Sequence, residues 1–423
     1  MPTVGIGRRA VALLLVAGLA LAGCSSGPAA EREADPSAPA PVPVGLLTEL
    51  APADVPAVAG AVNGFGFDLF AELANGEENT VTSPLSAAAL LAMILAGAGG
   101  DTAAAMAAAL HLDNPRDVRV GALLDAVADT DDVTLSVANA LWADNEIPFE
   151  EDYVGFVRQR FGAGLETADL ASQATADDID QWVNDQTEGR IEQIAADLGL
   201  PDPEAALVLL NAVYFLGQWT TEFDPAETMD SSFTLGDGAT VQVPMMHLRG
   251  QEFGYAQRDG YRMLRLPYGE QGRYGMEVLL PDPGTGLPQL IDRLDAAEWQ
   301  AAVAGLAPQS VDEVALPRFT VEWGENLNDT LDVLGMGPAF APGQADFTPM
   351  SPADLYLDQV VQKTFITVDE QGTEAAAVTG GAVGITSLQP GLVFRVDSPF
   401  IFTISDSHTG AILFLGAVTD PRG

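Results

Sequence analysis

Val58, Val62, Phe65, Leu69 and Leu73 recur at spacings of three and four, which gathers them on one face of a first predicted helix despite Gly64 and Gly66. A second helix starts at Thr82-Ser83-Pro84. There Ser83 is placed to cap the free amides, and Pro84 lies in the first turn, where a missing N–H loses nothing. It continues through LSAAALLAMILAGAGG, small and apolar on every side, so it belongs at the centre of the molecule with Ser86 as a buried hydroxyl. Thr102 to Leu110 predicts a third helix, and Thr134 to Trp142 alternates as a strand. Between Thr175 and Gly189 a further helix is expected. Ile179, Trp182 and Val183 share its face, Thr175 is its cap and Gly189 its end. Ala206 to Phe215 is an almost unbroken apolar run, a strand buried on both faces. Asn211 interrupts it, and a buried amide there requires partners.

Hairpin-like segments follow: Ser231 to Pro244 around Asp237-Gly238, then Tyr261 to Tyr268 with Tyr274 to Pro281. Pro288 to Val303 reads as one helix, Val311 to Phe319 as a strand, and Leu327 to Leu334 as a short helix closing at Gly335. Strands are expected at Leu355 to Asp369, Leu392 to Val396, Phe400 to Ser405 and Ala411 to Val418. Helices dominate early and strands late, without βαβ alternation, so the class is α+β.

The stretch from Thr364 to Ile385 is unusual. Thr364 to Asp369 has strand character; beyond the flexible point at Gly372, small or β-branched residues occupy every second position from Thr373 through Ala375, Ala377, Thr379, Gly381 and Val383 to Ile385. Glu374 opens the interleaved set, so an extended segment buries its small set and leaves that carboxylate in water. Gly380, Gly381 and Gly384 favour a loop instead. Two readings stand: a strand held out of its sheet, or an ordinary strand followed by an Ala/Gly-rich surface loop.

Net charge is −42, with 60 acidic residues against 18 basic ones, and Lys363 is the only lysine. Such a surface repels phosphate backbones and other polyanions, so nucleic acid is not an expected partner. Arg8 and Arg9 precede an apolar run from Ala10 to Leu21, too short for a membrane span and suited to a secretory signal. The run ends Leu21-Ala22-Gly23-Cys24, which resembles the lipobox of bacterial lipoproteins, and Cys24 is the only cysteine. The resemblance implies a lipidated Cys24 that anchors the exported protein to the outer face of the cell membrane; without the anchor it is extracellular. Pro28, Pro36, Pro39, Pro41 and Pro43 punctuate an extended tether. The expected division is therefore a signal peptide at 1–23, the lipidated cysteine and tether at 24–50, and one large domain at 51–423.

His111, His247 and His408 show no metal-ligand spacing, and the G-x-S-x-G match at Gly23 to Gly27 spans the export cleavage site. No catalytic residue, metal or cofactor is expected.

In family order the chain carries NTVTSPLSAAALLAMILAGAGGDT (Asn79 to Thr102), VANALW (Val137 to Trp142), IDQWVNDQTEGRI (Ile179 to Ile191), LVLLNAVYFLGQWTTEFDP (Leu207 to Pro225), LPRF (Leu316 to Phe319), VDEQGTEAAAVT (Val368 to Thr379) and SPFIFTISDSHTGAILFLGAVTDP (Ser398 to Pro421). Together these resemble the serpin family. The resemblance implies a monomeric single domain of three β-sheets and eight or nine helices, with an exposed reactive loop near the C-terminus. It also implies suicide inhibition of serine proteases, sometimes of cysteine proteases, and no enzymatic activity. The protease cuts the loop and is caught as a covalent complex while the loop's amino-terminal side inserts as a new strand.

The look-alike hinge is Glu370, Gly372, Thr373, Glu374, Ala375, Ala376, Ala377 and Thr379. Counting along the loop as the family does puts the reactive bond at Thr386-Ser387, with Ile385-Thr386 and Leu388-Gln389 as alternatives. A small residue before the cut suits an elastase-like or subtilisin-like target. Ser83, Ser86 and Asn211 match a polar cluster beneath the sheet's opening point, Gln362 stands where a histidine is usual, and Trp219 matches the tryptophan at the loop's entry. Two rival functions are a non-inhibitory serpin acting as carrier or scaffold and, from a different class, a solute-binding lipoprotein.

Overall fold

The computed structural model describes residues 45–128, 133–373 and 391–423, all within one compact unit. Cys24, residues 25–44 of the tether, Glu374, Ala375, Ala376, Ala377, Thr379, Thr386 and Ser387 lie outside the described residues, whereas the last residues assigned to the tether pack on the domain, with Leu46 buried and Leu47 bridged to Asp117.

The periodicities translate into helices at Val55–Leu73, Pro84–Ala96, Gly100–Ala109 and Gln173–Gln186. Val58, Val62, Phe65 and Leu69 are buried, as their spacing requires. Gly66 lets the first two helices approach closely, since a Cβ there would sit 2.5 Å from the ring of Pro84. The second helix is buried along its whole length.

Several local expectations are corrected. Ser83 has the extended backbone of a capping residue, yet its hydroxyl caps nothing and donates to the Leu413 carbonyl at 2.6 Å. The Gln173–Gln186 helix is capped by Ser172, whose hydroxyl accepts from the amide of Ala174, so Thr175 falls inside the first turn and is buried. The expected Pro288 to Val303 helix is two, Leu287–Ile291 and Ala296–Ala304, because Asp295 caps a fresh start by accepting from the Glu298 amide at 2.7 Å. Helices Val120–Ala128 and Glu151–Phe161 have no counterpart in the sequence reading.

The sheet that matters most contains β1 (Val133–Asp144), β2 (Gly164–Ala168), β3 (Leu207–Gln218), β4 (Phe319–Asn326) and β5 (Gln359–Val368), in the order β4-β5-β3-β1-β2. Its centre is a parallel pair. β5 and β3 are in register from Gln359 opposite Val208 to Phe365 opposite Tyr214, and β1 flanks β3 in antiparallel register. Beyond Tyr214 the place beside β3 is taken by β6 (Gly372–Thr373), which runs antiparallel with Gly372 opposite Gln218 and Thr373 opposite Gly217.

The remaining strands form one hydrogen-bonded path in which the long Thr240–Arg258 strand serves two sheets. Its first part pairs with Met229–Thr234 and its last with Tyr261–Tyr268, and Gly250 between them has φ +65°. Two of the three expected sheets are thus joined through a shared strand.

Candidate functional site

Beneath the β3–β5 seam lies a ladder of buried amides. The parallel register sets Gln362 of β5 beside Asn211 of β3, and the antiparallel one sets Asn139 of β1 on Asn211's other side. Gln362 Nε2 donates to Asn211 Oδ1 at 2.6 Å, and Asn211 Nδ2 donates to Asn139 Oδ1 at 2.6 Å and to the hydroxyl of Ser86. The Gln362 carbonyl oxygen accepts from Thr82 Oγ1 at 2.6 Å and from the Ser83 amide at 3.2 Å. Thr82, Ser83, Ser86, Asn139, Asn211 and Gln362 are all buried, so every one of these bonds replaces water that has no access.

The four cluster positions expected from the sequence, Ser83, Ser86, Asn211 and Gln362, therefore meet at one place. Thr82 and Asn139 were missed. The signal for Asn139 was available: like Asn211, it is an amide set inside a run of apolar residues, here Val137 to Trp142.

At the top of the seam the chain turns sharply and is clamped. The Asp369 carboxylate accepts from the amides of Gln371 and Gly372 at 2.9 and 3.2 Å, closing a turn between β5 and β6. Trp219 holds that turn twice, its amide donating to the Gln371 carbonyl and its indole Nε1 to the Asp369 carbonyl, each at 2.9 Å. The indole also stacks on Tyr268, with centroids 4.3 Å apart and planes 11° from parallel.

Gly372 has φ +151°, and a Cβ there would strike the Gly217 carbonyl and lie 2.8 Å from Gln218 Cα, so only glycine lets the chain come this close to β3. Thr373 is 1% exposed and shares a 2.8 Å hydrogen bond with the Tyr268 hydroxyl. Burial pushes that phenol's pKa up, so it stays protonated at neutral pH.

Glu370 anchors the outside of the turn. Arg318 Nη2 reaches both its carboxylate oxygens at 2.5 Å, and Thr228 Oγ1 donates to one at 2.6 Å. Burial pushes the Glu370 carboxyl up, but Thr228, Arg318 and a backbone amide together outweigh it and hold its pKa below the usual carboxylate range. Neither Arg318, Thr228 nor Tyr268 was singled out in the sequence, because nothing local links them to residues so distant along the chain.

The histidines are dispersed. His111 faces Asp68 at 2.6 Å and His247 faces Glu313 at 3.0 Å. Among the described residues no group of His, Cys, Asp and Glu side chains is arranged to hold a metal ion.

A family model described as Serpin (serine protease inhibitor) matches residues 60–421. An uncharacterized serpin-like protein of Thermococcus kodakarensis is 37% identical over 378 residues, covering 86% of each chain. Leukocyte elastase inhibitor A of Mus musculus is 35% identical over 371 residues, 84% of this chain and 97% of that one. Native tengpin, a thermophilic serpin, aligns with a TM-score of 0.78 at 28% identity, covering 89% of this chain and 96% of its own. With the family match extending over nearly all the described body, the chain belongs to the serpin family.

Proposed function

We propose that this protein inhibits a serine protease of elastase-like or subtilisin-like preference by trapping it as an acyl-enzyme, with the loop cut at Thr386-Ser387. Serpins are in general protease inhibitors rather than catalysts, and relatives named as elastase inhibitors support that class of target. The observation that carries the mechanism is Thr373, already buried and paired with β3 on the line a new strand between β3 and β5 would follow. Small residues at every second position beyond it suit continued burial. Roughly a dozen new backbone hydrogen bonds at ~1 kcal/mol each act together with burial of the small side chains against the ~1–2 kcal/mol per residue that ordering the loop costs, and drive insertion once the cut frees one end. Trapping is then a race between insertion and deacylation.

Residues 1–50 suit an exported protein held at a membrane surface by a lipid on Cys24. Among the described residues no helix is long and apolar enough to cross a membrane.

The test is incubation of the purified protein with an elastase-like and a subtilisin-like protease. A covalent complex that survives boiling in detergent, of about the summed mass, is expected. Clean cleavage near Thr386 with the protease still fully active would instead support a non-inhibitory carrier or scaffold.

A further inference from the structure

A cavity of about 830 Å³ opens where the Tyr274–Pro281 strand turns towards the Leu287–Ile291 helix. Its other walls are the hairpin turn at 235–237 and residues 397–399, which lead into the Phe400–Asp406 strand. Pro281, Pro283, Pro288 and Pro399 all line it. Four rings of fixed φ stiffen the walls, so little ordering is left for a ligand to impose.

One basic side chain, Arg262, belongs to the lining, and it is uncommitted. Nearby along the chain, Arg258 and Arg265 are bonded to Glu298 and Glu277. Arg262 has no such bond: its Nε is closed off from solvent without a hydrogen-bond partner among the described residues, and Asp282 Oδ1 stands 3.5 Å away. The guanidinium lies over the ring of Phe394, 5.7 Å from its centroid, and 26% of the side chain stays exposed. It is a fixed fork with donors to spare, which suits a carboxylate held by two parallel N–H groups.

The rest of the lining has the opposite sign. Glu77, Asp237, Asp282, Asp397 and Asp420 border the same space. Asp282 is near Arg262 and Asp420 pairs with Arg422, whereas Glu77, Asp237 and Asp397 are exposed acids at the rim. A simple anion is repelled by that rim, and a simple cation by Arg262. A molecule with a carboxylate at one end and an ammonium at the other satisfies both. The volume lies high in the range of about 300–1,000 Å³ common for small-molecule sites, which leaves space for more than one amino-acid residue.

We propose that this cavity binds a short peptide, its terminal carboxylate on Arg262, its ammonium among Glu77, Asp237 and Asp397, and its apolar side chains over Leu235 and Leu287.

The test is calorimetric titration of the full chain, without protease, using trileucine, N-acetyl-trileucine and trileucine amide. Trileucine is expected to bind one to one. Arg262→Gln should weaken it at least about tenfold, the low end for a charge-assisted hydrogen bond, and amidating the peptide's carboxylate should cost the parent as much. Acetylating the ammonium should weaken binding several-fold, as should Glu77→Gln, Asp237→Asn and Asp397→Asn combined. Those three positions are exposed, and asparagine at 237 keeps the turn bond to the Ala239 amide, so this variant reports on the site without threatening the fold. The absence of saturable heat with trileucine at millimolar concentration overturns the proposal. Equal affinity for the free and amidated peptides, or for the free and acetylated ones, overturns it too. Because neither a protease nor loop cleavage takes part, the result is independent of whether the chain inhibits.

Discussion

Gln362 of β5 and Asn211 of β3 face each other in parallel register, their side-chain amides joined at 2.6 Å in a site closed to water. This pair is the polar core of the seam that the proposed insertion opens. Replacing Gln362 by Met keeps its length but strands Asn211 Oδ1, Thr82 Oγ1 and the Ser83 amide. About 2–4 kcal/mol of stability should be lost from the intact form, as measured by guanidinium titration.

Glutamine does not titrate near neutrality, so the rate at which the nicked parent stiffens should be flat between about pH 5 and pH 8. Gln362→His should acquire a pH dependence in that window. Stopped-flow traces of the parent and variant that are equally flat would deny this position control over the seam.

Glu370 carries a different pH signature. Its pKa is lowered on folding, so the stability it contributes is fully present above the ordinary carboxylate range and is lost as pH falls through the lower folded value. The stability gap between the parent and Glu370→Gln should therefore be widest near neutral pH and shrink towards acid. Guanidinium midpoints collected from neutral pH down to below pH 4 would reveal it, and a gap that widened in acid would contradict the Arg318 pairing.

Thr373 has no room for a charge. Thr373→Arg must either bury an unpaired guanidinium, at several kcal/mol, or withdraw β6 from β3. The variant should be cleaved as a substrate with little trapping, seen as a several-fold rise in the inhibitor consumed per protease inactivated. Gly372→Ala should act similarly, through backbone collision with Gly217 rather than through charge.

The proposed lipid anchor at Cys24 makes a separate prediction. Cys24→Ala should release the protein from the membrane fraction into the soluble one while leaving protease trapping unchanged, as followed by fractionation and gel shift.

Much of the architecture was legible because it is periodic. Spacings of three and four marked the Val55–Leu73 helix, unrelieved apolarity placed Pro84–Ala96 at the centre, and Asn211 announced itself as an amide in need of partners. What failed locally was the choice among competing hydrogen-bond partners. Ser83 had the look of a cap, but the Leu413 carbonyl, brought near only by the fold, took its hydroxyl.

The sequence by itself determined the α+β class, the membership implied by motifs in order, and the small-residue alternation that permits a strand to be buried late. Only tertiary structure decided which groups meet at the seam: Asn139 and Gln362 on either side of Asn211, Arg318 and Thr228 on Glu370, and Lys363 across to Asp197. The reason is range. Periodicity reports how a segment meets its own burial, whereas these partners come from separate strands and loops whose neighbours are set by sheet order and register.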